Sequence, residues 1–146
     1  MVEVETSVLV NQPIEKVFEY VTTPENDAHW YIGVESRDHT PDEPSGVGST
    51  SMSEIRFLGV PMEVVWEVIA YEPPTKINVK TVKGPVSVES GYKFEAVGKN
   101  QTKVTVHGEA DVGNVFSVAD PLVERMAQRQ WEASFENLKD VLEDQD

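Results

Sequence analysis

The fold is decided by residues 114–143, which read NVFSVADPLVERMAQRQWEASFENLKDVLE. The apolar residues of this stretch recur at steps of mostly three and four, which places their side chains on one face of an α-helix. They are Leu122, Val123, Met126, Ala127, Trp131, Phe135, Leu138, Val141 and Leu142. The intervening residues are mostly charged and fit a solvated face. The pattern predicts an amphipathic helix of about six turns, roughly 35 Å long.

This helix has two possible starts. Asp120 and Pro121 form a good pair of N-cap and first helical residue. Alternatively, a first segment begins at Gly113 and Asn114 and runs into a kink at Pro121. We favour the second start, because the apolar residues of 115–118 would otherwise form an exposed loop.

The chain before residue 114 is predicted to be mostly strand. Alternation of apolar and polar residues predicts seven strands at about 2–10, 34–40, 49–58, 61–71, 76–83, 86–97 and 102–112. Pro13 opens a short helix after the first strand, and Thr23 with Pro24 opens a second. Turn residues separate the strands, the longest break being 41–48. Short connections predict that neighbouring strands pair antiparallel.

The predicted fold class is therefore α+β. It is a curved, seven-stranded antiparallel sheet wrapped around the long helix, with two short helices after the first strand. On the sixth strand Val86, Val88, Ser90, Tyr92 and Phe94 share one face, which we predict to be the packed face. No linker or repeat interrupts the chain, so residues 1–146 are predicted to form a single domain.

Charge and composition narrow the function. The 26 acidic residues outnumber the 12 basic ones, for a net charge of −14. Such a surface repels nucleic acid and anionic lipid heads, so we expect neither as a partner. No apolar run is long enough to cross a membrane, and no signal peptide is visible, which predicts a cytoplasmic protein. The absence of cysteine excludes disulfides and thiolate chemistry.

Five stretches together carry a resemblance to a known family. They are VLVNQPIEKVF at 8–18, Trp30, GVGS at 46–49, VIAYEPP at 68–74 and NLK at 137–139. The chain resembles the START/Bet v 1-like superfamily over essentially its whole length, and specifically its polyketide cyclase/dehydrase and lipid-transport branch. The resemblance implies the helix-grip fold and a cavity between the sheet and the long helix for a small hydrophobic molecule. It implies no single chemistry, because fold is weak evidence of function.

Polar residues among apolar ones are the candidates for orienting a ligand. Gln130 and Ser134 lie on or beside the helix stripe, Ser90 and Tyr92 on the sixth strand, and Trp66 on the fourth. Each is alternatively a core residue with its polar atoms satisfied. The predicted ligand-binding set is Trp66, Ser90, Tyr92, Phe94, Met126, Gln130, Ser134 and Arg56.

Catalytic candidates are few. Neither face of the third strand is clearly apolar, so Glu54 is a general acid or base only if it faces the cavity. Tyr92 is the other candidate, and Arg56 is suited to an anionic ligand group. The histidines His29, His39 and His107 stand without a second ligand at metal-binding spacing, so we expect no metal site. No cofactor motif is present, and we expect no cofactor.

Three functional hypotheses follow. The first is a binding protein that holds a small hydrophobic molecule between sheet and helix. The second is a cyclase or dehydratase that acts on a polyketide-like substrate in the same cavity. The third is an interaction module whose cavity is filled by large side chains. The sequence specifies neither the ligand nor the oligomeric state.

Overall fold

A computed structural model describes residues 1–40, 46–113, 115–116 and 119–144. Within it the helices are α1 (Ile14–Thr22), a short 3-10 helix (Pro24–Asn26), α2 (Asp27–Trp30) and α3 (Asp120–Glu143). The strands are β1 (Val2–Val10), β2 (Val34–His39), β3 (Thr50–Phe57), β4 (Val60–Glu72), β5 (Lys76–Lys83), β6 (Ser87–Gly98) and β7 (Gln101–Asp111). The predicted strands lie within about two residues of these bounds.

The strands form one antiparallel sheet in the order β1-β7-β6-β5-β4-β3-β2. Strands β2 to β7 pair with their neighbours in the chain, as the short connections predict, and β1 joins the far side of β7. α3 lies along β1 and also packs against α2. The predicted antiparallel sheet and long C-terminal helix are both present.

Alternating residues define the packed face of the sheet. On β6 the side chains of Ser90, Tyr92 and Phe94 are buried, and the intervening Lys93 is exposed. The apolar stripe of α3 meets this face, with Phe135, Leu138 and Leu142 fully buried among others. The core is therefore formed where the predicted sheet face and the predicted helix stripe come together.

The favoured helix start was wrong: the helix begins at Asp120, within one residue of the alternative start. Ala119 is the N-cap, and Pro121 lies in the first turn, where its missing N–H costs no intrahelical bond. Phe116 is only 8% exposed although it precedes the helix, because its ring packs 5.2 Å from that of Phe57. Phe116 is thus buried without being part of a helix, so its apolar character does not require a helix before Pro121. Val118 lies outside the described residues, as do residues 41–45 of the predicted turn.

No helix among the described residues is both long enough and apolar enough to span a membrane.

Candidate ligand-binding site

A chamber of about 140 Å³ lies between the packed face of the sheet and the N-terminal half of α3. It is lined mostly by apolar side chains from β1, β3, β4, β6 and the residue before β6, the segment before α3, and α3. They include Val2, Val4, Phe57, Met62, Val64, Trp66, Val86, Phe116, Val123, Ala127 and Trp131. An apolar cavity of roughly 150 Å³ can stay dry and bind benzene. The chamber therefore has the size and lining to hold about one six-membered ring.

The loop between α2 and β2 forms one wall of the chamber and is fastened on two sides. Ser134 Oγ of α3 accepts a hydrogen bond from the Ile32 N–H at 3.0 Å, and Gln130 Nε2 donates to the Ile32 carbonyl. On the other side, the Arg56 N–H donates to the Gly33 carbonyl at 2.7 Å. The loop is thus held between α3 and β3, and the hydrogen bonds satisfy backbone groups of the loop that would otherwise lack partners.

A buried ion pair borders the chamber. Asp27 begins α2 and is 2% exposed, and its Oδ2 lies 2.5 Å from Arg37 Nη1 of β2. Arg37 also donates from Nε to Ser51 Oγ at 3.0 Å, and its guanidinium lies 5.5 Å from the ring centre of Trp66. Trp66 in turn donates from Nε1 to Ser53 Oγ at 2.9 Å. These polar groups form a connected cluster at the edge of an otherwise apolar space.

Burial changes the acidity of this cluster. It raises the pKa of Asp27 above its ordinary value, and the Arg37 guanidinium opposes that shift. Burial, reinforced by the charge of Asp27, also raises the pKa of Tyr31. The pKa of Tyr92 is raised for the same reason, first by burial and then by Tyr31 and Asp27. Both phenols therefore keep their protons at neutral pH and are available as hydrogen-bond donors.

A second, larger cavity of about 710 Å³ lies between α1 and strands β3 to β6. Its floor is apolar and includes Val68, Ile77 and Tyr92, whereas exposed carboxylates such as Glu15 stand at its rim. We call it the groove. Asp27, Arg37 and Trp66 line both spaces, so the ion pair stands where the chamber and the groove meet.

Four of the predicted ligand-binding residues line the chamber: Trp66, Ser90, Gln130 and Arg56. Arg56 stands at its rim, where its side chain is 55% exposed and pairs with Glu35 at 3.3 Å. This position suits the mouth of the chamber better than an internal anion site.

The structure places the other predicted residues elsewhere. Tyr92 lines the groove, and Phe94 packs 5.1 Å from Phe18 within the core. Met126 is 39% exposed, because it lies at the border of the α3 stripe. Among the described residues, Phe94, Met126 and Ser134 line neither of these two spaces, although Ser134 holds the loop that walls the chamber.

Glu54 does not face the chamber. The inward face of β3 carries Ser51, Ser53 and Phe57, so the alternate residue Glu54 is exposed on the outer face. The condition under which Glu54 would act as a buried acid or base is therefore not met.

Asp27, Arg37 and Tyr31 were not identified from the sequence. The pairing of β2 with β3 is irregular between Val34 and Ser36, and this shift decides which β2 residues point inward. Periodicity does not show such a shift. The sequence feature that could have indicated Arg37 is the alternation of small residues at Ser51 and Ser53. Small residues on β3 leave room for a large side chain from the neighbouring strand β2.

The structure also brings together Glu3, His107 and Glu109, whose ligand atoms lie within 4.8 Å of one another. Spacing in the sequence does not show this group, because its members come from two paired strands, β1 and β7. All three are exposed, and exposed acidic groups are common without a metal. The expected absence of a metal site stays a prediction.

Comparison with known proteins connects this geometry to a family. The sequence profile of the family described as polyketide cyclase / dehydrase and lipid transport matches residues 1–143. A search among curated proteins found no significant match.

Several solved structures share the fold. A START superfamily protein from Mycobacterium smegmatis has a TM-score of 0.81 at 16% identity, with 97% of each chain covered. The Zhui aromatase/cyclase from Streptomyces sp. R1128 has a TM-score of 0.78 at 14% identity, over 97% of this chain and 93% of that one. A conserved protein from Geobacillus kaustophilus has a TM-score of 0.75 at 17% identity, over 97% and 95%. These likenesses confirm the predicted helix-grip fold, and at such identities they carry no function by themselves.

Proposed function

Because the chain belongs to the polyketide cyclase / dehydrase and lipid transport family, we propose that it binds a small hydrophobic molecule in the chamber between the sheet and α3. The observation that carries the proposal is the chamber itself. Its lining is mostly apolar, and it remains open beside a core packed with large aromatic side chains. Transfer of apolar groups from water would supply the binding energy, at about 0.8 kcal/mol for each buried methylene.

Large side chains limit the size of the guest. Trp131 packs against Tyr31 at 4.4 Å between ring centres and against Phe135 at 5.8 Å, and this aromatic cluster occupies part of the space beneath the sheet. Large side chains therefore fill part of the interior, as in the third hypothesis, but a chamber of about 140 Å³ remains. A ring-sized group fits without movement of these side chains.

The first experiment measures toluene binding by heteronuclear NMR, with tryptophan fluorescence as a second readout, because Trp66 and Trp131 line the chamber. Ala127 lines the chamber from α3, so Ala127→Phe should fill it and weaken toluene binding at least about tenfold. Ala133 is exposed on the same helix, and Ala133→Phe serves as the matched control that should leave binding unchanged. Absence of toluene binding to the wild-type protein, or equal binding by both variants, would overturn the proposal.

An enzyme of the cyclase or dehydratase type is the second candidate. The observation that favours it is a buried carboxyl group, Asp27, bordering the chamber with a raised pKa, which is a property of proton-transfer groups. Asp27 takes the role that Glu54 had in the sequence-based hypothesis. The test is incubation with a linear poly-β-keto thioester, followed by mass spectrometry. A cyclised product that is formed by wild type and lost in Asp27→Asn would support this candidate, and an unchanged thioester would oppose it.

A further inference from the structure

We propose that Asp27 and Arg37 together anchor the polar end of the guest, and that this end is a neutral group carrying an acceptor and a donor side by side. A primary carboxamide is the simplest such group. The inference rests on the proposed function, because it names the chemical class of molecule that the chamber would hold.

The hydrogen-bonding capacity left on the pair is the first argument. Arg37 uses Nε for Ser51 and Nη1 for Asp27, and within the described chain its Nη2 makes no hydrogen bond. Asp27 uses Oδ2 for Arg37, and its Oδ1 likewise has no hydrogen-bond partner among the described residues. A donor nitrogen, Nη2, and an acceptor oxygen, Oδ1, therefore remain unused on two contacting side chains that border the chamber.

The unused donor and acceptor atoms matter because the two side chains that carry them are buried. Asp27 is 2% exposed, and the Arg37 side chain is 15% exposed. A polar group that enters this region must replace the hydrogen bonds it made in water, and the pair can do so for a group that accepts from Nη2 and donates to Oδ1. A carbonyl with an adjacent N–H meets both conditions.

The charges around the pair favour a neutral head. Arg37 faces Asp27 from β2, while Glu25 precedes it, and the phenols of Tyr20, Tyr31 and Tyr92 approach from α1, the loop after α2, and β6. The one positive charge of this set is already paired with Asp27. A carboxylate placed here would lie beside the Asp27 carboxyl group at low dielectric, and an ammonium beside the Arg37 guanidinium. Either repulsion is absent for an amide.

The position of the pair adds a geometric consequence. Asp27 and Arg37 line the groove as well as the chamber. A guest whose ring lies in the chamber and whose carboxamide is held by the pair would therefore end where the chamber meets the groove. The polar recognition would then stand at the junction of the two spaces.

The test uses four ring-sized probes with the wild-type protein at neutral pH, each titrated by NMR. Benzamide offers both a hydrogen-bond acceptor and a donor, whereas acetophenone offers only the acceptor. Benzoate carries a negative charge, and toluene has no polar group. We expect benzamide to bind about tenfold more tightly than acetophenone, because acetophenone leaves Asp27 Oδ1 without a partner. Benzoate should bind more weakly than benzamide by at least a similar factor.

The double variant Asp27→Leu/Arg37→Met isolates the contribution of the pair. Replacing a buried ion pair by apolar residues of similar volume is often neutral or stabilising, so the variant should fold. Benzamide and acetophenone should then bind within about twofold of each other. Glu67→Gln/Lys80→Gln removes an ion pair between β4 and β5 that lines neither space, and this control should keep the benzamide preference.

The outcomes separate the two proposals. If toluene binds but wild type does not prefer benzamide to acetophenone, the anchor is wrong and the binding function stands. The same holds if the preference survives in Asp27→Leu/Arg37→Met. If none of the four probes binds to wild type, the binding function fails and the anchor fails with it. The wild-type series decides the matter even if the double variant does not fold.

Discussion

Gln128 of α3 makes two hydrogen bonds to the backbone of Glu5 in β1. Its Oε1 accepts from the Glu5 N–H at 3.2 Å, and its Nε2 donates to the Glu5 carbonyl at 2.8 Å. A neighbouring strand would make the same pair of bonds, and β1 is an edge strand. Glu124 accepts from the Glu3 N–H at 2.8 Å in the same way. The helix thus covers the open edge of the sheet with side-chain groups.

Replacing Gln128 should therefore weaken both the helix attachment and the edge. We expect Gln128→Ala to lower the free energy of unfolding by about 1–2 kcal/mol, because two backbone groups lose their protein partner and turn to water. Urea denaturation measures the change. The neighbouring Arg129 is exposed, and Arg129→Ala should change stability by less than about 0.5 kcal/mol. Equal effects of the two substitutions would contradict the role of Gln128 at the edge.

Ser134 holds the loop that walls the chamber. It is completely buried, and its Oγ accepts from the Ile32 N–H, so Ser134→Ala leaves that backbone donor without its partner. We expect a loss of about 1–3 kcal/mol in the free energy of unfolding. Hydrogen exchange gives the specific readout, because the Ile32 amide should exchange faster at conditions where the core amides do not change.

The matched control for Ser134 is Ser87→Ala on β6, where the serine is exposed. It should leave the Ile32 amide unchanged. Unaltered exchange at Ile32 in Ser134→Ala would show that the loop does not depend on this bond.

Gly33 permits the same loop to pass close to its neighbours. Its φ is +95°, and an added Cβ would lie 2.6 Å from Gln130 Nε2 and 2.7 Å from the Arg56 carbonyl oxygen. Gly48 has a similar φ of +91°, with nothing within 4 Å of an added Cβ. Gly48→Ala should therefore cost about 1–2 kcal/mol for backbone strain alone. Gly33→Ala should cost more, because it adds overlap with the Arg56 backbone.

Thermal and urea unfolding of both glycine variants measure this difference. Toluene titration of Gly33→Ala should also show weaker binding, since the displaced loop forms a wall of the chamber. Equal losses of stability in the two variants would mean that the close contacts at Gly33 are relieved without cost.

Much of the fold was predictable because one face of each element is buried. The β6 alternation at Ser90, Tyr92 and Phe94, and the α3 stripe at Phe135 and Leu138, both correspond to buried side chains. Burial acts on every residue of such a face, so the pattern repeats and is easily detected. The helix start was missed because Phe116 is buried by tertiary contacts, such as that with the distant Phe57, which no local pattern contains.

The site was less predictable, for the same physical reason. Its polar residues are exceptions to the alternation, and a carboxylate in a sequence reads as exposed whether it lies outside, as Glu54 does, or inside, as Asp27 does. What separates the two is the tertiary position of Arg37, which β2 places against Asp27 after its irregular pairing. Trp66 and Gln130 lie on the regular faces that line the chamber, and their role in ligand binding stays a prediction.

The buried carboxyl group also predicts how stability depends on pH. Burial raises the pKa of folded Asp27 above its ordinary value of 3.8, so below that value the group is protonated in both the folded and the unfolded state. As the pH rises through the folded pKa, the unfolded chain has already ionised and the folded state must bear the cost of a buried charge. The contribution of Asp27 to stability is therefore fully present at low pH and lost as the pH rises.

Comparison with Asp27→Leu/Arg37→Met isolates this effect, because the remaining carboxyl groups are common to both proteins. Urea denaturation at a series of pH values from about 3 to about 8 should show the variant gaining stability relative to wild type as the pH rises, and then a plateau. The plateau begins where folded Asp27 is fully ionised. If wild type instead becomes more stable relative to the variant as the pH rises, Arg37 holds the pKa of Asp27 below 3.8. The attraction within the pair then outweighs the cost of burying the Asp27 charge.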